Sequence, residues 1–306
     1  MKKYSLKYIL VAAAAILAVI FPFITGEYYR HLAILTLMYA VLALSWDFAA
    51  RAELVSFAHT GFFGLGAYTS AVTFLKLGFP LYFSFAVAVL LTIVVAIALG
   101  YLTLRLSGIY FAIASLAFSE VLLVVALQLP KVTGGAMGIS VPSLFGGMRV
   151  YCYGLILGIL ALAVVVSLYL ERSHFHLAFS AMRTSPSVAS VLGVNTVRYR
   201  LSSFTLSAIF SCLAGAFYVH YTTTTIPYEA FNLNIGVASM VMAVLGGLYS
   251  TVGPVLGAIV LKIIEEYMRV TIPYGYMIIY GLLLVAGILF LPKGLVGVQN
   301  KWKFLK

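Results

Sequence analysis

The chain has 306 residues, of which 63% are Ala, Val, Ile, Leu, Met, Phe, Trp, Tyr or Cys, 9% are charged, and the net charge is +11. A soluble protein of this length cannot expose so much apolar surface to water, so the composition excludes a soluble globular protein. The basic residues are scattered between apolar runs instead of clustering on one helix face, which argues against a nucleic acid partner.

The apolar runs predict the architecture, because a membrane-spanning helix needs about 20 mostly apolar residues. We predict an all-α, polytopic helical membrane protein with about ten spans, in a single transmembrane domain over residues 1–306. The first run is interpreted as an uncleaved span, since no convincing small-residue cleavage site follows it. The predicted spans lie near 8–25, 31–47, 54–76, 81–104, 108–128, 150–170, 200–219, 233–248, 252–269 and 275–291.

The distribution of basic residues predicts the sidedness. With the N-terminus in the cytoplasm, most of the 19 Lys and Arg residues fall on inner segments. The positive-inside rule therefore predicts that both termini are cytoplasmic, and an even number of spans agrees with this. Residues 129–149 then form an outside loop, and residues 171–200 form the longest cytoplasmic loop.

The junction between the second and third spans carries charged and titratable side chains. Asp47 and Arg51 are four residues apart and can pair on one helix face, and a salt-bridged helix end is favoured over a gate. Ser56 and His59 follow this junction and are candidates for a translocation pathway. For His59, a neutral packed histidine is the alternative.

Glycine-rich segments recur in the two halves of the chain, as G-F-F-G-L-G-A at 61–67 and G-P-V-L-G-A at 253–258. Glycine-interrupted hydrophobic segments indicate pseudo-repeated halves with a substrate pathway between them. Close helix packing through small residues is the alternative, and both interpretations can hold together. The candidate pathway glycines are Gly61, Gly64, Gly66, Gly246, Gly247, Gly253 and Gly257.

Glu120 lies in the middle of the fifth predicted span. An ionisable group at membrane depth costs roughly 2.5–3.5 kcal/mol on insertion scales, so such residues tend to face the protein interior or water. Glu120 is therefore a pathway candidate. A structural hydrogen bond between helices is the alternative.

The outside loop 129–149 contains prolines and paired glycines, which predict a folded cap rather than a span. Thr133, Gly134 and Gly135 lie in this cap. The surface that they form can receive an extracytoplasmic substrate-binding protein, or the loop is only a connector.

The cytoplasmic loop 171–200 is too polar to span, but its apolar residues recur at roughly helical spacing and predict a short amphipathic helix. Ser187 is expected to cap this helix after Pro186, and Gly193 is expected to end it. The apolar face can dock into a groove on a soluble partner, or it can lie on the lipid surface. The apolar residues are Ala181, Met182, Val188, Val191 and Leu192.

Four segments together carry a resemblance to a known family. The run from residue 181 to 218, A-M-R-T-S-P-S-V-A-S-V-L-G-V-N-T-V-R-Y-R-L-S-S-F-T-L-S-A-I-F-S-C-L-A-G-A-F-Y, resembles the coupling loop and following span of branched-chain amino acid ABC-importer permeases. Three further segments are similar to the same family in the expected order, and the T-G-G segment resembles the M-type subunit rather than the H-type. They are S-F-A-H-T-G-F-F-G-L-G-A-Y-T-S at 56–70, T-G-G-A-M-G-I at 133–139 and V-L-G-G-L-Y-S-T-V-G-P-V-L-G-A at 244–258.

The chain departs from the family pattern at two places. Thr184-Ser185-Pro186 stands where the family usually has an acidic residue after the Arg, which affects the polar part of the expected ATPase contact. Glu53 and Ala58 stand in the segment before 61–67, where the family commonly has G-Q-x-S-x-G.

The resemblance implies the permease subunit of an ATP-driven importer in the bacterial cytoplasmic membrane, which moves leucine, isoleucine or valine by alternating access. It places Arg183, Ala189 and Gly193 at the family's coupling positions against an ATPase. The implied partners are a second permease of the H-type, two ATP-binding subunits, an extracytoplasmic binding protein and membrane lipid, with no nucleic acid. It also implies that this chain binds no cofactor or metal itself, because ATP and Mg²⁺ are held by the partner ATPase.

Other functions remain open at this point. The sequence contains no Walker-type motif and no nucleophile–base constellation, so no enzymatic activity is predicted for this chain. Urea or short amides are alternative substrates of similar permeases. An ion-coupled secondary transporter or a passive channel is the alternative from another class, and dependence of transport on an ATPase subunit distinguishes them.

Overall fold

The computed structural model describes residues 17–106 and 108–272, with positions 281, 282, 285, 289 and 294–296. Most of the predicted first and tenth spans, 8–25 and 275–291, lies outside the described residues, although 17–24 are helical. Within the described ranges, six stretches are long and apolar enough to cross a membrane, which confirms a polytopic helical membrane protein. The count of ten spans, the sidedness and the pseudo-repeat stay predictions. The six stretches are Glu27–Arg51, Leu81–Thr103, Ile109–Gln128, Arg149–Arg172, Thr196–Thr222 and Pro227–Gly246.

The helices follow the apolar runs of the sequence closely. They are α1 (Glu27–Arg51), α2 (Ala58–Leu77), α3 (Leu81–Thr103), α4 (Ile109–Gln128), α5 (Pro130–Thr133), α6 (Arg149–Arg172), α7 (His174–Thr184), α8 (Pro186–Val191), α9 (Thr196–Thr222), α10 (Pro227–Ala230), α11 (Leu233–Gly246) and α12 (Val252–Thr271).

Two strands of two residues each are the only β structure in the described part of this helical chain. β1 (Ile139–Ser140) pairs antiparallel with β2 (Thr224–Thr225), so that Ile139 lies opposite Thr225. The pairing arises because the 129–149 loop folds back over the end of α9 and its backbone groups need partners there. The same loop contains α5 and two 3₁₀ turns, so the prediction of a folded cap is confirmed.

The bundle has inner and outer helices. α9 packs along α1, α2 and α3, and α1 also contacts α6, α11 and α12. Large aromatic side chains fill the centre, where Phe62 lies 5.4 Å from Phe204 and Phe48 lies 5.5 Å from Phe210, measured between ring centroids. α3 and α4 lie outside this core, and only a minority of their side chains are buried.

The bundle has two ends, which we name by residues of α1. At the Arg51 end, Arg51 pairs with Glu171 of α6, and Arg200 of α9 lies 3.7 Å from Glu53. At the Glu27 end, Glu27 lies 3.3 Å from Arg149 of α6. The described basic residues of the predicted inner segments all fall at the Arg51 end, so they share one face of the bundle. They are Arg51, Arg105, Arg172, Arg183, Arg198 and Arg200.

The third span differs from its prediction in two respects. The helix begins at Ala58 instead of residue 54, because the chain turns at Glu53, where φ is 61°. It then runs unbroken through Gly61, Gly64 and Gly66, so the prediction of a glycine-interrupted helix was wrong here. Packing against neighbouring helices offsets the helical cost of glycine. A true break occurs between Gly246 and Val252, where α11 ends and α12 begins.

Candidate coupling and translocation site

The loop between α6 and α9 is a pair of helices, α7 and α8. The prediction of a short helix after Pro186 is confirmed, but the cap is Ser185 and not Ser187, because the Ser185 side chain accepts the backbone N–H of Val188. Pro186 then takes the first helical position, where its missing N–H costs nothing. The sequence interpretation did not predict α7, which carries His174 and His176. Both histidines are exposed on α7.

Gly193 ends α8 as predicted. Its φ is 88°, in the left-handed region that favours glycine. Its N–H donates to the carbonyl of Ser190, and the N–H of Val194 donates to that of Ala189, which together form a Schellman cap. Asn195 then caps α9 by accepting the N–H of Arg198. The chain therefore turns sharply at Gly193.

The side chains of α7 and α8 divide into an inner and an outer set. Ala189 and Met182 are buried against Phe179 and the core of the chain itself. Val191 and Leu192 are 86% and 74% exposed, and Val188 is also exposed. The predicted single apolar face is thus split, and Ala189 packs inward. The exposed set forms the α8 tip, which we define as Val188, Val191 and Leu192.

A buried network of charges lies at the Arg51 end of the bundle, which is also the end that carries the α7–α8 unit. Asp47 and Arg51 form the predicted i,i+4 pair at 2.7 Å, and both are almost fully buried. Arg51 also donates to the Ser167 hydroxyl at 2.7 Å and reaches Glu171 at 3.3 Å. The favoured interpretation of a salt-bridged helix end is confirmed. The contacts of Ser167 and Glu171 gave no signal in the sequence, because they depend on how α1 and α6 pack.

The same network holds the turn between α11 and α12. Asp47 accepts the N–H of Tyr249 at 2.6 Å. Glu171 accepts both the N–H and the hydroxyl of Thr251 at 2.7 Å each. A third contact joins this turn to α7, where the Arg183 guanidinium lies 4.1 Å from the centre of the Tyr249 ring. Burial raises the pKa of Tyr249, with the positive charge of Arg183 acting in the opposite direction, so its phenol is neutral at pH 7.

The candidate pathway glycines are sites of close helix contact. A Cβ at Gly66 would lie 2.2 Å from the carbonyl oxygen of Cys212 on α9, and one at Gly64 would strike the Phe231 ring. Gly61 faces Ser119 of α4. The packing interpretation is confirmed for these residues, and a role in lining a pathway stays a prediction.

The glycines of the second segment pack α11 against α12. A Cβ at Gly246 would lie 2.0 Å from the carbonyl oxygen of Gly253, and one at Gly257 would lie 2.0 Å from that of Met242. Gly247 adopts a φ of 118°, which starts the turn after α11. The two helices therefore touch backbone to backbone.

Ser56 and His59 lie in the protein interior. The Ser56 carbonyl accepts the indole N–H of Trp46 at 3.0 Å, and its hydroxyl accepts the N–H of Ala58. His59 is fully buried, and its carbonyl accepts the hydroxyl of Ser211 at 2.7 Å. These contacts fix the junction of α1 and α2 against α9, and the pathway role of both residues stays a prediction.

Glu120 is exposed, whereas Thr133 of the T-G-G segment is buried. Glu120 is exposed on the outer face of α4, between exposed Ile113 and Val124. Thr133 is buried, and its hydroxyl donates to the carbonyl of Ala126 at the end of α4. Gly134 and Gly135 have φ values of 78° and 58°, so the turn itself requires glycine.

The chain is similar to known transport proteins over most of its length. The family described as branched-chain amino acid transport system, permease component, matches residues 28–287. The high-affinity branched-chain amino acid transport system permease protein LivM of Escherichia coli is 29% identical over 96% of this chain and 76% of its own length. A probable LivM of Methanocaldococcus jannaschii is 24% identical over 68% of each chain, and LivH of E. coli is 26% identical over 55% and 58%. No solved structure matches the chain.

Proposed function

Because the chain belongs to the family of branched-chain amino acid transport system permease components, we propose that it is the M-type permease subunit of an ATP-driven importer for branched-chain amino acids in the cytoplasmic membrane. Its translocation work is non-enzymatic. Relatives named LivM and LivH both match, which supports a second permease of the LivH type as its partner. Two ATPase subunits and an extracytoplasmic binding protein complete the proposed system.

The observation that carries the proposal is the α8 tip. Three neighbouring apolar side chains project from a short helix whose other face is anchored in the bundle by Ala189. The charge distribution predicts that this end faces the cytoplasm. Exposed apolar side chains on an anchored helix suit insertion into a groove of a soluble partner, the ATPase, which can then push or pull the bundle.

Glu120 supports a pathway between two permease subunits. It is the acidic residue in the middle of α4, and it points away from the core of its own chain. A charge facing lipid at this depth is costly, so a second permease subunit and a water-filled path between the two subunits are the environment that fits it. The T-G-G turn at the Glu27 end is the proposed side for the binding protein.

The α8 tip gives the proposal a direct test. Leu192→Asp removes an apolar contact from the tip while leaving the buried residues of the unit in place. We expect loss of co-purification of the ATPase subunits and loss of ATP-dependent leucine uptake in proteoliposomes, with normal membrane insertion. Leu177→Asp is the matched control, because Leu177 is similarly exposed but belongs to α7 and not to the α8 tip.

Two outcomes contradict the proposal. Normal ATPase assembly and uptake by the Leu192→Asp protein show that the tip is not the docking point. Leucine flux that persists without ATP or without the ATPase subunits indicates a channel or an ion-coupled carrier instead. Competition of labelled leucine uptake by excess urea or acetamide distinguishes the alternative substrates.

A further inference from the structure

The contact between Arg183 and Tyr249 joins two parts of the bundle that the sequence separates widely. Arg183 lies near the end of α7, and Tyr249 lies in the turn between α11 and α12. The 4.1 Å distance from the guanidinium carbon to the ring centroid is well within the range of a cation–π contact. The contact therefore links the α7–α8 unit to the α11–α12 pair directly, without passing through α9.

The backbone of the turn presents the Tyr249 ring to α7. Tyr249 has a φ of 64°, a left-handed conformation that few residues other than glycine adopt. Such a conformation persists only where the surroundings hold it. The bonds from the Tyr249 N–H to Asp47 and from Thr251 to Glu171 hold the turn on both sides of the ring.

The anchors of the turn are themselves fixed. Arg51 binds both Asp47 and Glu171, so α1, α6 and the turn share one buried network. The glycine contacts make α11 and α12 a closely packed pair. A force on the Tyr249 ring therefore acts on this pair through the turn, whereas the tip of α8 stays free to engage a partner.

We propose that Arg183 and Tyr249 form the link through which movement of the α7–α8 unit reaches α11 and α12. This inference rests on the proposed function, because it requires an ATPase that moves the α8 tip. Arg183 then acts inside its own chain rather than on the ATPase surface, and it is a positioning residue of the transport cycle. Tyr249 is its partner, and neither residue needs to touch the transported solute.

The test uses the complete transporter in proteoliposomes, with uptake of labelled leucine and ATP hydrolysis measured together. Tyr249→Leu removes the aromatic face, and Arg183→Met removes the cation while keeping a long side chain. For each variant we expect leucine transported per ATP to fall about two- to fivefold, which is the contribution of a cation–π contact to a partly exposed ring such as that of Tyr249. ATPase co-purification should stay at the wild-type level.

Conservative variants separate the link from a merely structural role. Tyr249→Phe keeps the ring face and Arg183→Lys keeps the cation, so both are expected to recover most of the coupling. Tyr169→Leu is the matched control, because Tyr169 is an exposed tyrosine of α6 outside this contact. The double variant Arg183→Met with Tyr249→Leu should be no worse than either single variant, because both remove the same contact.

Several results would overturn the link. Wild-type coupling in folded Tyr249→Leu transporter, or single losses that multiply in the double variant, shows that the two residues act separately. Loss of ATPase binding in Arg183→Met places Arg183 on the partner surface instead. Arg183→Met leaves the turn intact, so it decides the matter if Tyr249→Leu fails to assemble. Absence of ATP-dependent uptake by the wild-type transporter contradicts the proposed function itself, whereas the results above contradict only the link.

Discussion

In water-soluble proteins the most apolar segments are the most buried, but the inner and outer helices of this bundle show the opposite order. In α1 and α9, 72% and 67% of the most apolar 18-residue window is buried, compared with 28% in α3 and α4. The exposed helices α3 and α4 are nevertheless the more apolar ones, whereas the buried helices carry hydroxyls, histidines and an ion pair. Lipid acts as the solvent for α3 and α4, so apolar character does not draw them inward.

The inner helices are held together by small and polar residues instead. Glycines of α2 and α12 allow backbones to touch, and serines of α9 donate across to carbonyls of α1 and α2. These contacts are directional, so they fix one arrangement of the inner helices. On α4, Ser115 and Ser119 make similar bonds to the backbone of Phe57 and Gly61, but they lie on its inward side. The exposed sides of α3 and α4 are therefore the regions expected to tolerate change far better.

The largest effect is expected from a bulky residue at an inner glycine. Gly66→Leu would place a side chain against the Cys212 carbonyl of α9. This carbonyl belongs to the backbone and cannot rotate aside, so α2 would be forced away from α9. We expect a cost at or above about 3 kcal/mol, the upper part of the range for overpacking, and loss of most folded protein. Reversible unfolding in mixed detergent micelles measures it.

Gly158→Leu is the matched control for this change. Gly158 lies on an exposed face of α6, where an added Cβ meets nothing within 4 Å. Its stability should remain near that of the wild type. Equal losses at Gly66 and Gly158 would show that close backbone contact is not what holds the inner helices.

A smaller loss is expected from the buried ion pair. Asp47→Asn weakens the partner of Arg51 and one acceptor of the α11–α12 turn, but Glu171 still contacts Arg51. Removal of one member of a buried pair costs about 3–5 kcal/mol, and we expect roughly 2–3 because of this second acid. Thermal unfolding in detergent measures the shift.

Glu27→Gln is the control for Asp47→Asn, because Glu27 pairs with Arg30 at the opposite end and is largely exposed. An exposed pair contributes about 0–1 kcal/mol. If both substitutions have the same small effect, burial does not distinguish the two ends of α1.

A single buried hydroxyl should have a modest effect. Ser211→Ala removes the hydrogen bond to the His59 carbonyl, and we expect a loss of about 0.6–1 kcal/mol, typical of interhelical bonds in membrane proteins. Ser202→Ala is the matched control, because the exposed Ser202 hydroxyl bonds only within α9. A larger loss at Ser202 would contradict the division into inner and outer contacts.

The smallest effect on folding is expected at the outer face of α4. Glu120→Gln should change stability by no more than about 0.5 kcal/mol, because the side chain is exposed in the single subunit. Leucine uptake by the assembled transporter should fall, with Glu120→Asp retaining more activity than Glu120→Gln. Unchanged uptake in Glu120→Gln would remove this residue from the pathway.

The sequence predicts those parts of the structure that depend on local pattern. Apolar runs locate the helices because lipid requires uninterrupted spans, and the spacing of Asp47 and Arg51 predicts their pairing because it is set by helix geometry. Gly193 ends α8 because the left-handed turn needs its conformational freedom. In each case the cause lies within a few residues of the effect.

The contacts that depend on packing could not be predicted in this way. Ala189 lies in α8 and Leu192 is its C-cap, only three residues away, yet Ala189 is buried and Leu192 is exposed because α8 packs one side against the bundle. Tyr249 shows no periodic signal, and its left-handed backbone is stabilised by Asp47 from a distant helix. The direction of Glu120 likewise depends on how α4 is placed against α2.

The β1–β2 ladder has a consequence for communication across the membrane. The α7–α8 unit precedes α9 and β2 follows it, so the two are attached to opposite ends of one helix of 27 residues, which is about 40 Å long at 1.5 Å per residue. In the proposed importer, a binding protein docked on the 129–149 loop and an ATPase bound to the α8 tip would therefore both act on α9. Under that proposal, substrate delivery at one end of α9 and ATP hydrolysis at the other would each be felt at the opposite end of the same helix.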